Sequence, residues 1–248
     1  MPARYETAPL IPEPHDAMIR GLFFHCFLLL WTFLVGLVSL PFYAFPKQLP
    51  WIQWVWSWGA MAFLKYGVGL DYILKDPTGA LSQKNGPVLF VSRHHSAWET
   101  VAYLTILTHN PNLRFVLKKE LLVLPFFGWY LRGVGMIALD RRQGLESLRI
   151  LKKQVRETIQ KGCDVVMYPE GTRTDQNSPL VLQRGVIMAY EAAGVPVIPI
   201  TLDSGRFWPK NSLKKYPGTV TVRLHETIPP GLPRDVFWQK INGVFGEG

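Results

Sequence analysis

Hydrophobic positions along this chain follow two regimes. Residues 21–45 carry no Asp, Glu, Lys or Arg and are almost continuously apolar. At 1.5 Å rise per residue, about 20 such residues cross the ~30 Å hydrocarbon core of a bilayer. A cleaved signal peptide competes with this reading, but the run is long for one and no small-residue cleavage site follows it. A membrane anchor is therefore expected. Residues 51–70 form a second apolar segment, broken by Gln53 and Lys65, with Trp51, Trp54 and Trp58 on one helical face. Indoles favour the headgroup level, so this segment reads as a second span or as an interfacial or re-entrant helix with Lys65 reaching for phosphates; the interfacial form is preferred. The flanking basic residues, Arg4 and Arg20 before and Lys47 and Lys65 after, are too balanced to orient it.

From about Leu81 the pattern shortens. Strands are predicted at 88–92, 113–117, 136–139, 165–168, 197–202 and 219–224, and helices at 97–108, 121–132, 145–161 and 180–193. The third helix carries Leu145, Leu148, Leu151, Val155 and Ile159 on a core-facing stripe, and Gly162 stops it. Strands separated by helices imply parallel pairing through helical crossovers. The expected fold class is α/β: a mixed, mostly parallel sheet flanked by helices, preceded by an N-terminal hydrophobic two-helix membrane-anchoring segment. The division falls between residues 1–75 and 76–248.

Composition narrows the partners. Across 248 residues, 27 Lys+Arg face 18 Asp+Glu, a formal charge of +9. That excess suits a phosphate-bearing lipid, a nucleic acid or an acidic carrier protein. The two cysteines, Cys26 and Cys163, suggest neither a disulfide framework nor a zinc site, and no metal is expected. Residues 1–14 are Pro-rich and read as loose.

The chemistry collects where predicted strands end. Residues 92–100 read Ser-Arg-His-His-Ser-Ala-Trp-Glu-Thr, a strand handing over to a helix with Ser96 as a plausible N-cap. A base at a strand's carboxyl end, with a carboxylate a few residues on, can take a proton from a hydroxyl. Two histidines that merely hydrogen-bond the turn are the plainer reading. Spacing leaves the partner of Glu99 open: His95 is four residues before it on a helical face, and His94 is five before it, within reach only from the turn. Residues 135–142 end a strand in Asp140, Arg141 and Arg142, and residues 168–173 end another in Tyr-Pro-Glu-Gly-Thr-Arg. Residues 195–200, Val-Pro-Val-Ile-Pro-Ile, hold two prolines, awkward for a central strand. Singly these are a solvated charge pair, a turn and an edge strand. Together, Arg141 and Arg173 at neighbouring strand ends would grip a phosphomonoester bidentately.

These four segments, in this order, resemble the four blocks of the glycerolipid acyltransferase family, most closely the lysophosphatidic acid acyltransferases. His94 to Glu99 is similar to the His-x4-Asp block with Glu for Asp, and Tyr168 to Arg173 to the Phe-Pro-Glu-Gly-Thr-Arg block with Tyr for Phe. Lys118-Lys119-Glu120-Leu121 and Pro125 to Trp129 also resemble family sequence, and the likeness spans residues 86–202. The resemblance implies His94 as general base and Glu99 as its support. It implies acceptor binding by Arg141 and Arg173 at the phosphate, Glu170 at the glycerol, Gly171 and Thr172 in the same segment, and Lys118 as a further phosphate ligand. The implied reaction moves a fatty acyl group from acyl-CoA or acyl carrier protein to the sn-2 hydroxyl of lysophosphatidic acid, giving phosphatidic acid. No cofactor and no nucleic acid partner are expected. The implied location is the lipid bilayer, as a cell inner membrane with the catalytic domain facing the cytoplasm. Rival readings are another acceptor, glycerol 3-phosphate or a lyso-ornithine lipid, and a non-catalytic membrane protein that binds anionic lipid.

Overall fold

The structure, a computed structural model, describes residues 14–45, 48–107, 112–124, 127–176, 178–179 and 181–246, leaving out the side chains of Pro14, Tyr43 and Arg141. Of the residues named above, 1–13, Lys47, Thr108, Pro125, Phe126 and Leu180 lie outside the described residues.

Seven strands form one sheet: β1 (Leu70–Lys75), β2 (Leu89–Ser92), β3 (Leu113–Lys118), β4 (Ile137–Leu139), β5 (Asp164–Met167), β6 (Val197–Leu202) and β7 (Gly218–Leu224), in spatial order β1-β7-β6-β2-β5-β3-β4. Every pairing is parallel except β6 with β7. All six predicted strands are present. Both faces of the sheet are covered, so β2 and β5 are buried along their whole length and read as unbroken apolar runs. Side chains alternate between the two layers with period two. Phe90, Val166 and Ile198 meet the layer built from α1 (Pro14–Ser39), α2 (Leu49–Phe63) and α3 (Trp98–Ile106). Leu89, Val91, Val165 and Val197 meet the layer of α5 (Leu145–Gln160), α6 (Gly185–Ala193) and α7 (Arg234–Gly246).

Several expectations need correction. The strand β1 lies before residue 76, inside the stretch assigned to the anchor, and pairs with β7 along six residues. Its burial pattern does not alternate, so it left little trace in the sequence. Between the six predicted strands and the C-terminus, α7 also went unread, although Phe237, Ile241 and Phe245 repeat every four residues and are buried. The strand with prolines is central rather than at an edge: β6 sits between β7 and β2. It tolerates Pro199 because β7 ends at Leu224, opposite Ile200, so the ring nitrogen lies past the end of the ladder; the Pro199 carbonyl still accepts from His225 N–H at 3.0 Å. The helix expected at 121–132 is a 3-10 turn, Lys119–Val123, followed by the short α4 (Phe127–Gly133). Leu145 is exposed at the start of α5, while Leu151, Val155 and Ile159 form the buried stripe.

At the N-terminus, among the described residues one helix is long and apolar enough to cross a membrane, His15–Phe42, and α2 with its 15 residues is not. The expected two-helix segment thus holds one candidate span, and α2 is too short for the second-span alternative. One side of α1 is seated on the rest of the molecule: Phe24 packs edge-on to Trp208, Phe27 stacks on Phe63, and Trp31 Nε1 donates to the Trp56 carbonyl. Its other side, including Leu22, Phe23, Leu29 and Leu30, is exposed.

Candidate active site

Because β2, β5, β3 and β4 are parallel neighbours, their carboxyl ends lie along one edge of the sheet. There the strict alternation of β2 continues for two residues. Ser92 faces α3, where its hydroxyl meets Tyr103 Oη at 2.7 Å; Arg93 faces α7; His94 returns to the α3 side.

The imidazole of His94 lies flat on the Tyr168 ring, with centroids 3.8 Å apart and planes 10° from parallel. Its Nδ1 is 3.0 Å from Glu99 Oε1. The helix α3 begins at Trp98, so its N-cap is Ala97 and not Ser96 as expected; Ser96 Oγ instead accepts from Trp98 N–H at 3.1 Å in the turn before the helix. Glu99, in the first helical turn, is fully buried and folds back over that turn. Its Oε1 also accepts from the backbone N–H of His95 at 2.7 Å and of Ser96 at 2.8 Å, and Oε2 accepts from Ser204 Oγ at 2.8 Å. Three neutral donors and one imidazole therefore satisfy both oxygens and fix the carboxylate in place. With Nδ1 occupied by Glu99, Nε2 is the nitrogen left for a substrate.

This geometry separates the two histidines. His95 is buried, its Nδ1 3.2 Å from the Thr174 carbonyl, and burial holds its pKa below the usual histidine value. It ties the β5 loop down and does not line the cavity described next. The loop after β5 turns at Gly171, which needs φ of +69°, and Thr174 N–H then donates to the His94 carbonyl at 2.8 Å.

A cavity of about 540 Å³ opens beside His94. Gly171, Thr172 and Arg173 line it from the β5 loop and Lys118 from the end of β3. Its far wall is apolar: Val35 and Gly36 of α1, Ile52 and Trp56 of α2, Leu104 of α3 and Phe115 of β3. The loop after β6 adds Lys210, a residue the sequence reading missed. Lys118, Arg173 and Lys210 have no acidic partner among the described residues, so the ionic character of the mouth is positive.

One expected site residue falls elsewhere. Glu170 is buried behind the cavity wall, its Oε1 2.6 Å from Arg93 Nε, and burial raises its pKa. Arg93 also donates to the Ser178 carbonyl at 3.1 Å and sits within 3.5 Å of the Phe245 carbonyl, so the pair fastens β2, the β5 loop and α7 together. Strand β5 ends at Met167, and the turn carries Glu170 out of the alternation that would have aimed it at the cavity. Arg141 opens the 3-10 turn after β4, on the same sheet edge, but its side chain lies outside the described structure. The ends of β4 and β5 are not neighbours as expected, since β3 and its Lys118 lie between them, about 10 Å across two strand spacings. Ser204 was invisible in sequence, being 105 residues from the carboxylate it serves.

Comparison with known proteins gives a consistent picture. The family model of acyltransferases matches residues 76–203. The 1-acyl-sn-glycerol-3-phosphate acyltransferase of Pseudomonas aeruginosa is 34% identical over 207 residues, 82% of this chain and 78% of that protein. The human 1-acyl-sn-glycerol-3-phosphate acyltransferase beta is 29% identical over 70% of this chain and 61% of its own length. Among solved structures, the 1-acyl-sn-glycerophosphate acyltransferase PlsC of Thermotoga maritima superposes with a TM-score of 0.66 over 92% of this chain and 96% of that one, at 20% identity, and so shares the fold.

Proposed function

Since the chain belongs to the acyltransferase family, we propose that it moves a fatty acyl group from a thioester to the sn-2 hydroxyl of lysophosphatidic acid, releasing the thiol and phosphatidic acid. The observation that carries this reading is the His94–Glu99 pair set at the mouth of a cavity that is cationic at one end and apolar at the other. The names of the relatives from Pseudomonas aeruginosa and human support the acceptor.

In this mechanism His94 Nε2 takes the proton from the acceptor hydroxyl as its oxygen attacks the thioester carbonyl. The carbon–sulfur bond then breaks, and the imidazolium returns its proton to the departing thiolate. The Glu99 carboxylate, 3.0 Å from Nδ1, holds that nitrogen protonated and stabilises the imidazolium as it forms. The stacked Tyr168 ring sets the imidazole plane and offers its π face to the developing cation. General-base assistance of this type supplies ~10²–10⁴ in rate. Orientation supplies more: Arg173 and Lys118 would hold the acceptor phosphate, with Gly171 and Thr172 forming the wall between phosphate and hydroxyl. Arg141 belongs to the same edge and is kept as a phosphate ligand in this proposal.

The apolar end suits the acyl chains. Drawing a sixteen-carbon chain into water costs about 13 kcal/mol at ~0.8 kcal/mol per CH₂. A cavity walled partly by α1, itself apolar enough to cross a bilayer, lets the chain stay in hydrocarbon-like surroundings. Placement at a cell inner membrane, with the cavity on the cytoplasmic side where thioesters are made, follows from this reading. Either acyl-CoA or acyl carrier protein satisfies it as donor. The test is acyl transfer by the purified protein in vesicles, offering both donors against lysophosphatidic acid, glycerol 3-phosphate and a lyso-ornithine lipid. Lysophosphatidic acid is expected to be the preferred acceptor. Preference for either rival, or no transfer at all, would overturn the assignment.

A further inference from the structure

Around the mouth of the cavity, large apolar side chains stand in the open. Leu121 is 37% exposed, Leu124 45% and Val123 75%. They belong to a hydrogen-bonded turn. The turn Lys119–Val123 is closed by Leu124 N–H donating to the Leu121 carbonyl, and Gly128 N–H donates to the Leu124 carbonyl at 2.7 Å. Gly128 comes so close that an added Cβ would lie 2.2 Å from the Leu122 carbonyl oxygen, so only glycine lets α4 press on the turn. The sequence thus fixes these apolar tips in an outward position, where a water-facing turn would carry polar residues.

Three observations say what covers them. Leu121 itself lines the cavity, as do Phe127 and Tyr130 beyond it, so the turn that carries Val123 and Leu124 borders the apolar space. The helix α4 packs against α1, which carries exposed Leu37 and Val38 near its end, with exposed Leu40 just beyond it. Exposed cations also flank the tips, Lys119 before them and Arg132 after them in the chain, with Glu120 the acid among them. Apolar tips ringed by lysine and arginine fit an anionic bilayer surface, the tips entering the acyl boundary and the cations meeting phosphates.

We propose that the turn carrying Leu121, Val123 and Leu124 is a second membrane contact, contributed by the α/β body rather than by the N-terminal helix, and that it sets the cavity mouth level with the hydrocarbon. The proposal rests on the acyltransferase reading, because the bilayer that covers the rim is the one presenting the acceptor. The chain of a bilayer lipid then slides into the cavity without crossing water, while an acceptor dissolved in water gains nothing from the contact. The test uses full-length protein in vesicles containing anionic phospholipid, comparing the parent with a Val123→Glu/Leu124→Glu variant. One acceptor is long-chain lysophosphatidic acid in the vesicle; the other is a six-carbon lysophosphatidic acid that stays monomeric. The variant should raise the apparent KM for the vesicle-borne acceptor at least about fivefold while kcat/KM for the monomeric one stays within about twofold. Equal losses on both acceptors would mean damage to the site or a surface for a protein partner, and no loss on either would mean the rim stays in water; both results overturn the proposal. If the parent acylates neither acceptor, the acyltransferase reading fails first and the rim loses its occupant with it.

Discussion

Glu99→Gln isolates the charge of the carboxylate from its shape. In the parent, Oε1 accepts from two backbone N–H groups and sits 3.0 Å from His94 Nδ1, while Oε2 accepts from Ser204 Oγ. A glutamine can keep its oxygen at the Oε1 position and donate its NH₂ to the Ser204 oxygen, whose hydroxyl is free to turn away. The flipped amide would aim NH₂ at the N–H groups of His95 and Ser96, so that orientation is excluded. The variant should therefore fold, with a stability change below about 1 kcal/mol. What it loses is the attraction between carboxylate and imidazolium. For unit charges 3.0 Å apart at an effective dielectric of about 20, that attraction is about 5.5 kcal/mol, an upper bound of about four decades in rate. Expressed through kcat, a fall of ~10²–10⁴ is expected, with KM for both substrates within about threefold. Steady-state acyl transfer alongside thermal unfolding reads both halves of the expectation. A folded variant with kcat within tenfold of the parent would refute the claim that Glu99 supports an imidazolium.

Other substitutions probe neighbouring parts of the account. Ser204→Ala strips Oε2 of its one donor and should lower kcat about tenfold without changing KM, with Ser204→Thr recovering much of the loss; a change in KM alone would make Ser204 a binding-site residue instead of a positioning one. Arg173→Ala should raise the apparent KM for lysophosphatidic acid by about tenfold or more and that for the thioester far less, and equal effects would count against a phosphate role. Lys215 is buried, its Nζ 4.3 Å from the centre of the Trp208 ring and within 3.3 Å of the carbonyls of Ser212, Leu213 and Lys214, and burial lowers its pKa to about 7 from a usual 10.5. Between those values the unfolded chain binds a proton that the folded chain has released, so stability should rise with pH from about 7 toward 10.5. Lys215→Leu should abolish that part of the rise and cost ~1–3 kcal/mol by leaving three carbonyls without their donor; melting curves at pH 7 and 9 that match the parent's would contradict this.

How much of this was legible in sequence depends on whether the cause was local. The strands β2, β5 and β6 announced themselves as short apolar runs because helices cover both faces of the sheet. His94 and Glu99 were legible because one strand, one turn and one helix hold both. Spacing left His94 and His95 open and the family resemblance favoured His94; the alternation that continues past β2 sends Arg93 to the α7 layer and His94 to the other. Long-range effects were not legible. Glu170 had a carboxylate's chemistry and a motif's position, yet its partner Arg93 is 77 residues away, and that pairing buries it away from the cavity. Ser204 and Lys210 come from a loop whose place depends on how β6 and β7 close the sheet. β1 was hidden because the apolar segment before it runs into Leu70 without a break in pattern.

The central claim is that an imidazole at the end of β2 removes the acceptor's proton. Its most direct test is acyl transfer to lysophosphatidic acid by His94→Ala and His95→Ala side by side, each checked for folding. The account predicts that His94→Ala loses at least about two decades of kcat while remaining folded, and that His95→Ala keeps most of its turnover at some cost in stability. Undiminished transfer by His94→Ala, or a selective loss in His95→Ala, would contradict it.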